Sequence, residues 1–412
     1  GLPSEDVNVY ENGLPAVYSS TVHKLAAHWR SDSSLGEVGL LSPSESAITT
    51  GNIAYSVNSF SKLGQKDFQG ILNYRTNHFG MQNFDFNVSG AINNQWLYTA
   101  SIYQNFDPGS FDLEFTNYAD RTEIYHAGLT RLFNNGRGKI SLLYKHSRSE
   151  NPATYANAWN LGNGSENRAN EIALISDYRF RNDLLWKFNL KYMDAPRANY
   201  VDFGGSTISE VTANDGFTLS NGDPYEGLAE GRRTWLHVGK VKNFLITSEL
   251  NKTFGNHDLR LGVNEWYYHL DYYSSSLQWM ATVQNYPQLL TSTTTSSLDP
   301  TLTGQRVQTY GYNELSPEYT KGYENKLALY FTDNWQVTPQ FNIYYGGRLE
   351  YYRMSADQIS ASRFPGFRIG DFTTYSKEEE TGNIIATQRS IHPAKVVKDK
   401  LNYAATLRAA YN

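Results

Sequence analysis

The chain has no cysteine among its 412 residues, so no disulfide or thiolate–metal framework is available to it. No run of 18 apolar residues occurs, which excludes a transmembrane helix. The formal net charge is −5 and there is no long basic run, which argues against a nucleic-acid partner. Gly1-Leu2-Pro3-Ser4-Glu5-Asp6 carries neither the basic nor the apolar region of a signal peptide. G-x-S-x-G, H-E-x-x-H and P-loop patterns are absent, so no catalytic constellation is expected and the chain does not read as an enzyme. His23 and His28 are five apart and would not stack on one helix face. Asn214-Asp215-Gly216 and Asn221-Gly222-Asp223 lack the close carboxylate alternation a calcium loop needs and read as turns. Neither a metal site nor a cofactor is expected.

What the chain does have is tyrosine: 31 Tyr with 8 Trp, aromatics at 14%, and yet a mean hydropathy of −0.55. A soluble core of this size needs more aliphatic residues. A membrane barrel needs only one apolar face per strand and places Tyr and Trp at its two interfaces.

The patterning agrees. Phe84, Phe86 and Val88 fall on one side of residues 82–91, Asp85, Asn87 and Ser89 on the other, and after the turn Ile92-Asn93-Asn94-Gln95 the alternation resumes through Trp96, Tyr98, Ala100 and Ile102. Twelve such strands are predicted: 66–77, the pair at 82–105, 122–133, 138–148, 170–181, 184–194, 241–254, 257–273, 324–336, 340–354 and 401–411. Soluble strands average about 5–6 residues, whereas a bilayer-crossing strand needs about 9–11. Every second connection is a tight turn, such as Asn134-Asn135-Gly136-Arg137. The others are long: 106–121, 149–169, 195–240, 274–323 and 355–399. This asymmetry predicts an all-β, antiparallel, up-and-down transmembrane barrel in an outer membrane, short turns toward the periplasm and long loops outside.

Residues 1–65 differ. Val7 to Pro15 reads as a strand and turn, 20–30 as a helix around His23, Leu25, Ala26 and Trp29, and Ile48 to Phe60 as an alternating strand. This α/β piece is too small to bury a core alone. Leu25, Trp29, Leu40, Leu41 and Ile53 are expected to find cover elsewhere.

A small α/β segment running into long alternating strands resembles a TonB-dependent receptor. Val7-Asn8-Val9-Tyr10-Glu11-Asn12-Gly13-Leu14-Pro15 is similar to that family's V-x-V-D-G-x-P plug strand, and Glu37-Val38 to its Ile-Glu-Val segment. Gly51-Asn52-Ile53-Ala54-Tyr55-Ser56-Val57-Asn58 stands in place of its Gly-rich stretch, without the paired glycines. Leu329-Tyr330-Phe331-Thr332-Asp333-Asn334-Trp335 and Gly347-Arg348-Leu349-Glu350-Tyr351-Tyr352 are similar to its aromatic-x-D-x-W hairpin and G-x-R-x-E strand, the most specific of these motifs. The resemblance implies a 22-stranded barrel closed by a lumenal plug. This chain would then supply the rear part of the plug, residues 1–65, and about twelve of the strands, residues 66–412.

It further implies energy-coupled uptake of a nutrient, whether a metal–chelator complex, a glycan or a peptide, driven by the inner-membrane energy-transducing protein TonB. It leaves room for a surface lipoprotein lid, as in glycan and peptide importers of similar design. The alternatives are a passive channel of 12–16 strands, and an outer-membrane enzyme, for which no Ser/His/Asp set can be assembled. Candidate ligand contacts are the loop aromatics Trp159, Tyr200, Tyr225, Trp279, Tyr286, Tyr310, Phe364 and Phe367, whose rings can stack on sugars or apolar ligands. Lys377 to Glu380 reads as a solvated loop tip.

Overall fold

The computed structural model describes residues 8–16, 29–109, 120–151, 164–284, 288–294, 306–307, 311–359, 370–377, 381 and 383–411. The chain begins with a four-stranded mixed sheet, built from β1 (Asn8–Glu11), β2 (Leu14–Pro15), β3 (Leu35–Leu41) and β4 (Ser56–Ser61) in the order β2-β1-β4-β3. Asn12 and Gly13, at φ 56° and 73°, form the two-residue turn between β1 and β2. Between β3 and β4 lies the helix α1 (Pro43–Thr49). Ser42 caps it, its Oγ accepting the Glu45 N–H at 3.3 Å, with a proline in its first turn. A helix therefore occupies part of the stretch expected to be strand from Ile48 to Phe60, and the strand proper begins only at Ser56. The expected helix at 20–30 falls mostly on residues outside those described.

Twelve long strands follow: β5 (Gln69–Thr76), β6 (Gln82–Ala91), β7 (Trp96–Asp107), β8 (Asp120–Phe133), β9 (Gly138–Asn151), β10 (Gly164–Arg179), β11 (Leu185–Val211), β13 (Gly227–Phe254), β14 (His257–Thr282), β17 (Gly311–Thr338), β18 (Phe341–Ile359) and β21 (Ala394–Tyr411). Each pairs antiparallel with the next, in one path from β5 to β21. The short strands β12 (Phe217–Thr218), β15 (Leu289–Thr294) and β16 (Arg306–Val307) pair among themselves off this path, and β15 also joins β14. β19 (Gly370–Lys377) and β20 (Ile384–Ile391) make a separate hairpin.

The period-two pattern is realised as two faces. Leu142, Ile172, Leu261, Val263, Leu329 and Leu349 point outward and are exposed, whereas Asn87, Ser141, Asn167, Asn264 and Arg348 point inward and are buried. Val263, Leu329, Leu349 and Tyr403 lie opposite one another across four adjacent strands, an apolar row with no protein beyond it. Where an inward tyrosine needs room, its partner is glycine: the Tyr330 ring lies over Gly262, where a Cβ would sit 2.1 Å from Cζ.

One expectation needs correction. Much of 195–240 and of 274–323 is not loop: β11, β13, β14 and β17 continue through them, to 26–28 residues each, leaving 212–226 as the connection from β11 to β13. The pairing bulges near Pro196 on β11 and at 314–317, containing Pro317, on β17. Bulges accommodate a residue without an N–H and gather at barrel rims. β13 and β14 pair without a break from Phe254↔His257 to Ala229↔Thr282. At their far end Val211, Ala229 and Leu290 form a small core, with Phe217, Leu219, Tyr225 and Met280 against it.

Candidate functional site

The small sheet is held against inward side chains drawn from almost the whole width of the long sheet. On one side the β1–β2 hairpin meets β9–β11. Lys145 Nζ lies 3.0 Å from Glu11 Oε2 and 3.6 Å from Glu171 Oε1, and Lys191 Nζ lies 3.3 Å from Glu171 Oε2. Lys191 also donates to the Pro15 carbonyl at 2.5 Å, and Asn189 Nδ2 to the Asn12 carbonyl at 2.7 Å. These charged groups are buried, and two ammonium groups answer two carboxylates, which is what makes such burial tolerable. Burial alone would raise the Glu11 carboxyl, but Lys145, His126 and Lys191 outweigh it and hold it at about 2. Burial pushes the neighbouring Tyr10 phenol up to about 12, and the ring packs 6.1 Å from that of Trp266.

Further round, Asp85 of β6 accepts the Ser33 N–H at 3.1 Å and the Ser33 hydroxyl at 2.5 Å, and Ser34 Oγ lies 3.1 Å from His126 Nε2. On the opposite wall the strands receive α1. Arg260 Nη1 lies 3.3 Å from Glu45 Oε1, and Asn264 Nδ2 donates to the Thr49 carbonyl at 2.8 Å. Arg348 Nη1 donates to the carbonyls of Ile48 and Thr49 at 3.2 and 3.3 Å, while its Nε and Nη2 donate to Glu350 Oε2 at 3.1 and 2.6 Å. The G-x-R-x-E motif therefore grips the carboxyl end of α1. Gly51, at φ 77°, leaves the space: a Cβ there would meet Arg348 Nε and Glu350 Oε2 at 3.1 Å.

Between these anchors a cavity of about 490 Å³ remains, bounded by Tyr10, Asn58 and Glu45 on the small sheet and helix and by Lys187, Asn251 and Arg260 on the strands. The burial expected for residues 1–65 is uneven: Ile48 is buried, but Leu40 and Ile53 are 71% and 83% exposed. Both lie on surfaces that no described residue covers. Among the described residues no group of His, Asp or Glu could hold a metal ion.

The predicted loop aromatics are not brought together by the described structure. Trp159, Tyr286, Tyr310, Phe364 and Phe367 lie outside the described residues. Tyr200 and Trp279 lie within β11 and β14 and not in loops. Tyr225 lies in the connection from β11 to β13, where its hydroxyl donates to the Leu228 carbonyl at 2.6 Å. The sequence reading missed Glu11, Asp85, Lys145, Glu171 and Lys191. Their signal was available in the alternation, which puts Lys145, Glu171 and Lys191 on the inward face of three successive strands.

A family model described as an outer membrane beta barrel domain matches residues 40–406. The chain belongs to that family. This outer membrane β-barrel domain accordingly resides in the bacterial outer membrane, with its outward face toward lipid. Among solved structures it is similar to the ferric-catecholate import receptor Fiu from E. coli K12, at 13% identity and a TM-score of 0.57, covering 99% of this chain and 60% of that one. It is similar to the ferric yersiniabactin uptake receptor FyuA from Yersinia pestis, at 13% identity and 0.56, covering 98% and 53%. It is also similar to the siderophore receptor PiuA from Acinetobacter baumannii, at 12% identity and 0.57, covering 98% and 55%. The β-barrel domain thus spans 60% or less of the length of each. At these identities the likeness is one of fold. No curated protein matches the chain.

Proposed function

We propose that the chain belongs to an energy-coupled outer-membrane receptor in which residues 1–65 are the rear part of a lumenal plug and residues 66–412 about half of the barrel. The observation that carries this is the set of anchors from Asp85 on β6 to Arg348 on β18, all directed at the small sheet, its helix α1 or the segment leading into β3. A periplasmic extension of a passive channel would not need inward side chains on opposite walls to grip it. The twelve-strand path ends at β5 and β21, with no pairing between them among the described residues. This supports a wider barrel over a complete channel of twelve strands.

Transport in this reading involves no covalent chemistry. A nutrient binds outside, and TonB pulls the plug far enough to open a path beside it. The substrate is a metal–chelator complex, a glycan or a peptide. The first is favoured because receptors sharing this fold import ferric chelates. External aromatics, including Trp159, Tyr200, Tyr225, Trp279, Tyr286, Phe364 and Phe367, are the proposed capture residues.

The test is a reversible lock. Ser33→Cys with Asp85→Cys places two thiols where a 2.5 Å hydrogen bond now joins the side chains. In the oxidised double variant, uptake of a radiolabelled ferric chelate should stop while its binding to the cell surface persists, and reductant should restore uptake. Uptake that continues with the lock closed would overturn the plug assignment.

A further inference from the structure

The outward face of β8–β11 carries a charge pattern that neither uptake nor the plug uses. Arg148, Arg168 and Arg197 lie directly opposite one another on β9, β10 and β11. Like charges directly opposite on neighbouring strands destabilise a sheet. Two of the three are compensated: Arg148 pairs with Glu150 and Arg197 with Glu166. Arg121, one step away on β8, pairs with Glu123 at 3.4 Å. The central guanidinium, Arg168, has no ion pair among the described residues.

The level of this row on the barrel identifies what it faces. On β10, Arg168 and Tyr178 point outward ten positions apart. Ten residues at about 3.3 Å each, tilted by about 40°, cover roughly 25 Å along the membrane normal, the height of the apolar band of a barrel. Tyr178 stacks on Phe133 at 5.9 Å and meets Phe180 at 4.8 Å, forming the aromatic belt on the side of the short turns. Between the two ends lie Leu129, Leu142 and Ile172, exposed to lipid. The second belt includes Tyr144, whose hydroxyl donates to Asn170 at 3.0 Å. The arginine row begins one outward position beyond Asn170, at the headgroups of the external leaflet. At the opposite interface the outward Arg131 lies over the Trp96 ring at 5.5 Å.

We propose that Arg168, flanked by Arg148 and Arg197, binds a phosphate of an outer-leaflet phosphorylated glycolipid. The chemistry fits from both sides. Guanidinium forks match phosphate oxygens in geometry, and a phosphate dianion relieves the repulsion within the row. The acyl chains of such a lipid would lie along the exposed Leu142 and Ile172. The site is independent of the uptake reading and needs only that the barrel stand in an outer membrane.

The experiment uses the purified full-length chain in detergent, titrated with a diphosphorylated glycolipid of the lipid A type and with the same lipid dephosphorylated, complexes being counted by native mass spectrometry. The phosphorylated lipid should bind at least several-fold more tightly. Arg168→Gln should weaken that binding by about fivefold, the scale of one basic side chain at an anionic surface, and leave the dephosphorylated lipid unaffected. Arg131→Gln, outward on β8 at the other interface, should change neither. Resistance of the barrel to sodium dodecyl sulfate before heating checks that each variant folds, and Arg197→Gln replaces Arg168→Gln if that variant does not. Equal binding of the two lipids, or binding unchanged in the folded variant, overturns the proposal.

Discussion

The Arg348 guanidinium reaches the Ile48 carbonyl, 300 positions earlier in the chain, at 3.2 Å. The last carbonyls of a helix have no partner within it, and the partial negative charge there favours a cation. Arg348 supplies both the hydrogen bonds and the charge, and Glu350 fixes its plane. Only 2% of the Arg348 side chain and 13% of that of Glu350 are exposed, so the pair is one buried unit.

Arg348→Ala should therefore do more than remove two hydrogen bonds. It leaves the Glu350 carboxylate inside without its partner, an imbalance that costs about 3–5 kcal/mol when buried. The barrel should still assemble, but the segment at 43–51 should lose protection from amide hydrogen exchange. Wild-type protection in the variant would show that the contact holds nothing in place.

Gly51→Val should give the same outcome by a different route. The added side chain crowds Arg348 Nε and Glu350 Oε2 and must also adopt a φ near 77°. Exchange at 43–51 should rise as in Arg348→Ala, and combining the two substitutions should add little, because both disturb one contact. Fully additive effects would separate the two.

Glu11 gives the small sheet a pH dependence of known sign. Its carboxyl is held at about 2 in the folded chain, below its ordinary value of 4.5. A depressed folded value contributes stability that is complete above the ordinary range and is lost as pH falls from there toward 2. Protease cleavage within residues 8–61 should rise as pH is lowered from about 5 to 3, and Glu11→Gln should remove most of that dependence. A variant that titrates like the wild type would place the acid-sensitive group elsewhere.

Phe86 faces lipid near the middle of β6, and a charge there costs roughly 2–4 kcal/mol. Phe86→Arg should reduce the amount of barrel in the outer membrane several-fold, read on immunoblots of membrane fractions. Undiminished assembly would mean the two faces of β6 are reversed.

Epitope tags at Ser220 and Thr374 should be labelled on intact cells, because they lie beyond the ends of β11 and within the β19–β20 hairpin. Tags at Asn135 and Asn256, in the tight turns, should be labelled only after permeabilisation. Labelling of the second pair on intact cells would invert the orientation.

The number, order and faces of the twelve strands were legible because lipid imposes strict alternation on the part of each strand that crosses it. The same rule hid the outer portions of β11, β13, β14 and β17. In segments such as Asp202-Phe203-Gly204-Gly205-Ser206 and Gly231-Arg232-Arg233-Thr234 the sequence shows no sustained apolar alternation, so polar composition and glycine read as loop. The helix α1 was legible in principle: Ser42-Pro43-Ser44-Glu45 is a helix-start signature, passed over in favour of a weak alternation from Ile48. The inward charges were visible singly, but only the pairing register shows that Lys145, Glu171 and Lys191 meet Glu11. The same holds outside, where Arg148, Arg168 and Arg197 are scattered in sequence until the strands align them.

The unbroken pairing of β13 with β14 gives the mouth a lopsided profile. At about 3.4 Å per residue and a tilt near 45°, such strands rise roughly 60 Å, about twice the thickness they must cross. β6, with 10 residues, and β7, with 12, barely clear the membrane. The described opening is thus a parapet on one side and a low sill on the other. Among the described residues the parapet stands directly above the inward-facing wall that holds Tyr10 and the β1–β2 turn.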